Sequence, residues 1–176
     1  MLLAVSRRLA STAVLLAISI AAALAQIAQA QGPTPAQIQA AVSKAESSRQ
    51  LWATINICNT PRHHNQLGVR GQMPALGFPA ALSMKIQIKY FTGTRFRLDP
   101  GVRRMVQLGM RTRRLHQDGH TFQFGPHAGL LMGMVTFQWR RGGQLIGQTT
   151  RPTTPGHHDA DFGDPRGHSA ATCRMR

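Results

Sequence analysis

The chain has 176 residues, of which 42% are hydrophobic, and a formal net charge of +15. That size suits one domain with a substantial core. The imbalance of 21 Lys+Arg over 6 Asp+Glu favours anionic surroundings such as wall polymers, phospholipid headgroups or nucleic acid.

Residues 1–30 read as a secretory signal peptide. Arg7 and Arg8 precede an uncharged apolar run from Leu9 to Ala25, and small-x-small sites end at Ala25 and at Ala30. An uncleaved anchor is the alternative, because the run approaches spanning length. Export makes envelope polymers or phospholipid headgroups the expected anionic partners and argues against nucleic acid. It also places Cys58 and Cys173 in an oxidising compartment, where pairing is the expectation.

Residues 31–50 form a leader. Thr34-Pro35-Ala36-Gln37 supplies an N-cap, a proline at the first helical position and a glutamine three residues after the cap. Ile38, Ala41, Val42 and Ala45 share a stripe at helical spacing, so a short helix to about Ser48 is predicted, with loose attachment or disorder as the competing view.

From Leu51 the period changes to two. Leu51, Ala53, Ile55 and Ile57 alternate with Trp52, Thr54, Asn56 and Cys58. A second strand is predicted over 65–73, and residues 72–82, with two prolines and a glycine, read as a loop. SMKIQIKYF at 83–91 is the clearest strand, with Met84, Ile86, Ile88 and Tyr90 on one face and Lys85, Gln87 and Lys89 on the other. A Thr-Gly turn at 92–93 leads to a strand over 94–98, which Asp99-Pro100-Gly101 is expected to stop. Met105 to Leu115 is expected to be the next strand, separated from HTFQF by a hairpin turn at Asp118-Gly119. GLLMGMVTFQWRR at 129–141 and QLIGQTT at 144–150 flank a Gly142-Gly143 turn.

Seven or eight short strands with regular turns predict an antiparallel β-sandwich of immunoglobulin-like kind over 51–176, a small closed barrel being the rival. The stretches Trp52-Ala53-Thr54, Cys58, Gly68-Val69-Arg70 and Ser169-Ala170-Ala171-Thr172-Cys173 resemble a group of secreted bacterial proteins of unassigned function. That resemblance covers about residues 51–176 and implies a single small β domain with its two cysteines paired. It implies no activity.

Two clusters are candidates for function. Arg103, Arg104, Arg111, Arg113, Arg114, Arg140 and Arg141 gather around predicted strand ends, with Lys85 and Lys89 on an outward face, and would bind anionic polymers if they converge. The segment GHHDADFGDPRGH at 156–168 holds His157, His158, Asp159, Asp161 and His168, the ligand types that copper or zinc requires. Its glycines and prolines, however, describe a solvated loop with nothing to fix a cage. His116 and His120 flank Asp118-Gly119 and are expected to face each other across that hairpin. Met132 and Met134 share a strand face and suit copper(I), though methionines there more often pack.

No G-x-S-x-G motif or phosphate-cradling glycine pattern is present, and paired cysteines leave no nucleophile, so neither catalysis nor a cofactor is expected. An enzyme site invisible to sequence reading would instead show itself as a pocket lined by several polar side chains. The function expected from the sequence is a non-catalytic extracellular or envelope protein, with metal handling as the alternative.

Overall fold

The computed structural model describes residues 32–175, so the predicted signal peptide lies outside the described residues. From Pro35 onward the chain is one compact unit. It opens with a helix, α1 (Pro35–Glu46), starting at the proline the capping pattern selected. Lys44 lies in its last turn, where the helix dipole favours a cation. Val42 and Ala45 are buried in the common core, so the leader helix is docked. It reaches the last hairpin closely enough that a Cβ on Gly147 would stand 2.3 Å from Val42 Cγ1.

Eight strands follow: β1 (Trp52–Thr60), β2 (His63–Pro74), β3 (Ala80–Phe91), β4 (Phe96–Arg111), β5 (Leu115–Gln123), β6 (Gly129–Arg141), β7 (Gln144–Pro152) and β8 (Thr172–Met175). They form an antiparallel sandwich. One sheet has the order β1-β2-β5, and the other has β4-β3-β6-β7, with β8 also paired to β6. β7 takes the later half of that edge of β6, from Met134 on, and β8 takes Gly129 to Met132.

Between the sheets lie Ile55, Leu67, Val69, Met84, Ile86, Ile88, Val135, Phe137 and Trp139, all essentially without solvent contact. These are the alternating apolar positions the period-two pattern picked out. Trp139 donates its indole Nε1–H to the carbonyl oxygen of Pro74 at 2.9 Å, satisfying its single polar group inside the core. Tyr90 continues the inward register of β3 but lies near the strand end and is exposed.

Cys58 and Cys173 are joined by a disulfide. It ties the first strand to the last across 115 residues of sequence.

Three turn expectations are corrected. Asp99-Pro100-Gly101 does not stop a strand, because β4 runs through it from Phe96 to Arg111. β4 is an edge strand, where proline's missing N–H costs no ladder bond. The extra residues form a bulge, since Leu98 and Arg103 sit opposite Lys89 and Gln87, two apart on β3. The Asp99 carboxylate accepts the Gly101 N–H at 2.9 Å and closes the bulge.

Asp118-Gly119 is not a turn either. Both residues are mid-strand in β5, opposite Gly71 and Arg70 of β2, and the reversal falls at 112–114. Gly119 is there for closeness, since a Cβ would stand 2.1 Å from the Val69 carbonyl oxygen. The third correction is at 72–82, where strands extend to Pro74 and from Ala80 and only 75–79 connect them. Gly142-Gly143 does form the expected hairpin turn, with φ of 56° and 80°.

Candidate functional site

The segment joining β7 to β8 is not a solvated loop. It is a strap bound along β1 and over its outer surface. Thr154 donates its backbone N–H to Ala53 O, Ile55 and Ala170 exchange backbone bonds, and Asp164 donates to Asn56 O. Side chains from the sheet complete the attachment. Asn56 Nδ2 donates to Asp161 O at 2.8 Å, and Gln117 accepts from Asp161 N and donates to Asp159 O. Thr54 Oγ1 bonds Ser169 Oγ at 2.8 Å. The outward positions Trp52, Thr54, Asn56 and Gln72 are consequently buried. Their chemistry was the signal available in the sequence: a solvent-facing strand row would carry charges, whereas Trp-Thr-Asn is an uncharged row able to bond a covering backbone.

The histidines and aspartates of the strap hold it in place individually. The His157 ring stacks on Trp52 with centroids 4.4 Å apart and planes 10° from parallel. Its Nε2 bonds Thr154 Oγ1 at 3.0 Å, and partial burial holds its pKa below the ordinary histidine value, the His158 neighbour adding to this and Asp159 opposing it. His158 Nδ1 bonds Gly167 O at 2.7 Å. Asp164 accepts a hydrogen bond from Thr60 Oγ1 and lies 3.7 Å from His63 Nε2. Asp161 and Asp159 are tied through their backbone atoms, and His168 keeps a buried Nε2 without a partner.

The structure therefore does not converge His157, His158, Asp159, Asp161 and His168 on one point. Among the described residues no group of three or more histidine, cysteine, aspartate or glutamate side chains is placed to hold a metal ion. His116 and His120 lie on the same strand, β5, and do not face each other across a hairpin. Met132 and Met134 are on the outer side of β6, opposite Lys89 and Gln87.

Arg70 is the sheet's main charged contact with the strap. Its guanidinium lies 3.6 Å from Asp118 and under the ring of Phe162 at 5.1 Å. Burial lowers its pKa from the usual arginine value, against the pull of Asp118 and Asp161, and its Nε is buried without a partner. Phe162 is 80% exposed in a left-handed conformation, φ 57°. Beside it the strap bounds an open cavity of about 440 Å³ whose lining includes His158, Asp159, Asp161 and Arg166.

The seven arginines separate into three locations. Arg103 and Arg140 lie on the outer face of the larger sheet, in register with Gln87 and Ala81. Arg104 is opposite inward-facing Ile86, and its charge acts on His120 of β5, whose pKa is lowered first by burial and then by this neighbour. Arg111, Arg113, Arg114 and Arg141 belong to the strand ends and the 112–114 turn, with Arg141 against the Phe78 ring at 5.9 Å.

The outer face itself is organised by register. Lys85, Lys89, Arg103, Arg140 and Arg174 all project from it. Between them runs a neutral ladder in which Gln138 donates to Gln148 at 3.2 Å and Thr136 bonds Thr150 at 2.8 Å. Arg174 escaped sequence reading because its four-residue strand is too short to show alternation. The strands of this sheet carry ten Lys or Arg and a single acid, Asp99, while Asp118, Asp159, Asp161 and Asp164 sit on β5 and the strap.

No family model and no curated protein matches the chain. Among solved structures it is similar to a putative beta-galactosidase from Bacteroides fragilis, at 10% identity and a TM-score of 0.35. The likeness covers 61% of this chain and 16% of that one.

Proposed function

We propose that this is an exported, non-catalytic β-sandwich protein that binds anionic material of the cell envelope through the outer face of its larger sheet. One observation carries the reading: the fold sorts charge, setting five cations on one face of a sheet whose strands hold a single acid, Asp99, and leaving four of the six acids on β5 and the strap. A low-dielectric wall behind a single-sign face concentrates its potential and attracts polyanions. Export rests on the signal-like leader and agrees with the Cys58–Cys173 bridge. Among the described residues no helix is long and apolar enough to cross a membrane.

The test is retention on polyphosphate-coupled resin across a salt series. The protein is expected to bind at low salt and to elute as the Debye length shrinks from about 10 Å towards about 3 Å. Lys85→Gln combined with Arg103→Gln and Arg140→Gln should elute at distinctly lower salt. No retention at low salt, or retention indifferent to salt, would overturn the reading.

A further inference from the structure

We infer that the partner of this face is a lipid surface bearing anionic headgroups, and that the β3–β4 hairpin enters the headgroup layer with Phe91, Phe96 and Leu98. The inference rests on the electrostatic reading above and narrows its partner from anionic material in general to a membrane surface.

Exposed apolar side chains carry the argument. Eight large hydrophobic residues are markedly exposed among the described residues, and five belong to this hairpin, at 40% to 59%: Phe91, Leu98, Met105 and Met110 in the outward register and Tyr90 in the inward one. An apolar concentration of that kind on one element marks an interaction surface. Register puts the apolar groups beside the cations, because Leu98 is opposite Lys89, Met105 opposite Lys85, and Phe96 opposite Phe91. The two phenylalanine rings meet at 5.2 Å and form a compact apolar pair at the base of the exposed turn Thr92-Gly93-Thr94-Arg95.

Across residues 80–111 there are seven basic residues and one acid, and that acid, Asp99, is engaged with the Gly101 N–H. Between Lys85, Arg103, Arg104 and Met105 lies an open cavity of about 440 Å³, large enough for a headgroup phosphate.

A soluble polyanion uses the cations of such a surface and leaves the rings and thioethers in water. A lipid surface uses both. Phosphates meet the lysines and arginines, whose stems lie along apolar groups, while aromatic and aliphatic side chains settle at the boundary with the acyl chains. The order along the hairpin fits this, with a turn bearing Arg95, then the phenylalanine pair, then paired cation and apolar positions.

The experiment is co-sedimentation of the protein with vesicles of phosphatidylglycerol mixed into phosphatidylcholine, with pure phosphatidylcholine vesicles alongside and the polyphosphate resin as a parallel readout. The variant is Phe91→Ser/Leu98→Ser, whose positions are exposed and whose folding is checked by far-ultraviolet dichroism. Expected is sedimentation with phosphatidylglycerol vesicles only, weakened about tenfold in the variant as the apolar contribution to interfacial binding is lost, with resin retention unchanged. Sedimentation with phosphatidylglycerol vesicles without resin retention would keep the lipid inference and overturn the reading that the face takes anionic material in general. Resin retention without sedimentation, or sedimentation indifferent to the double substitution, would overturn the lipid inference and leave the electrostatic reading standing. Equal binding to phosphatidylcholine alone would overturn the anionic requirement. Absence of both signals would overturn both readings.

Discussion

Single residues here answer to what lies a few ångströms away more than to their own preferences. Gly119 shows it best. Beside aspartate it has the makings of a turn, yet its function is to let β5 approach β2 at the Val69 carbonyl. Gly119→Ala should therefore destabilise the protein by about 1–3 kcal/mol, as overpacking against a fixed backbone does. Urea denaturation measures it, and an unchanged midpoint would refute the close-approach account.

His157 makes a second residue-scale prediction. Burial against Trp52 lowers its folded pKa below the unfolded value, so the native state binds fewer protons than the unfolded one. Its contribution is complete above the unfolded pKa of about 6.5 and is lost as pH falls through the lower folded value. His120, lowered by burial and Arg104, has the same sign. Thermal midpoints should fall on acidification below that pH, and His157→Phe, which keeps an aromatic ring on Trp52, should flatten the dependence.

Elements were legible where the pattern was long and the environment two-sided. β3 and β6 announce themselves through uninterrupted alternation, and α1 through its cap and stripe. β4 was harder, because a bulge on an edge strand looks in sequence like a stop. The strap was harder still: it has no periodicity, and its order comes from bonds to Asn56, Gln117 and Thr54, at least 42 residues distant in sequence. Asn56→Ala removes the bond to Asp161 O and leaves that carbonyl short of a partner, at a cost of about 1–3 kcal/mol. The strap should then open more often, so limited proteolysis should cut between His158 and Gly167 faster than in the parent chain. Unchanged cleavage would show that the bond does not hold the strap.

At the scale of the whole molecule two features combine parts far apart in the chain. The Cys58–Cys173 bridge closes a loop with a sequence separation of 115, which in the chain-entropy model contributes about 4–5 kcal/mol. Reduction should lower the urea midpoint by a corresponding amount, and a reduced protein of equal stability would contradict the prediction. The other feature is charge polarity. Net charge is a sum over composition, but a charged face requires register, and Lys85, Arg103 and Arg140 come onto one surface only through the pairing of β3 with β4 and β6.

By itself the sequence determined the class of the fold, because period-two burial and glycine turns act over a few residues and need no distant partner. It also identified the bridged cysteines, since an even pair behind a signal-like leader has one obvious use. Tertiary structure alone decided which glycines turn and which permit contact, that the histidine-rich segment is a covering strap, and which arginines share a surface. Those outcomes depend on strand order and register, which bring together residues that no local pattern relates.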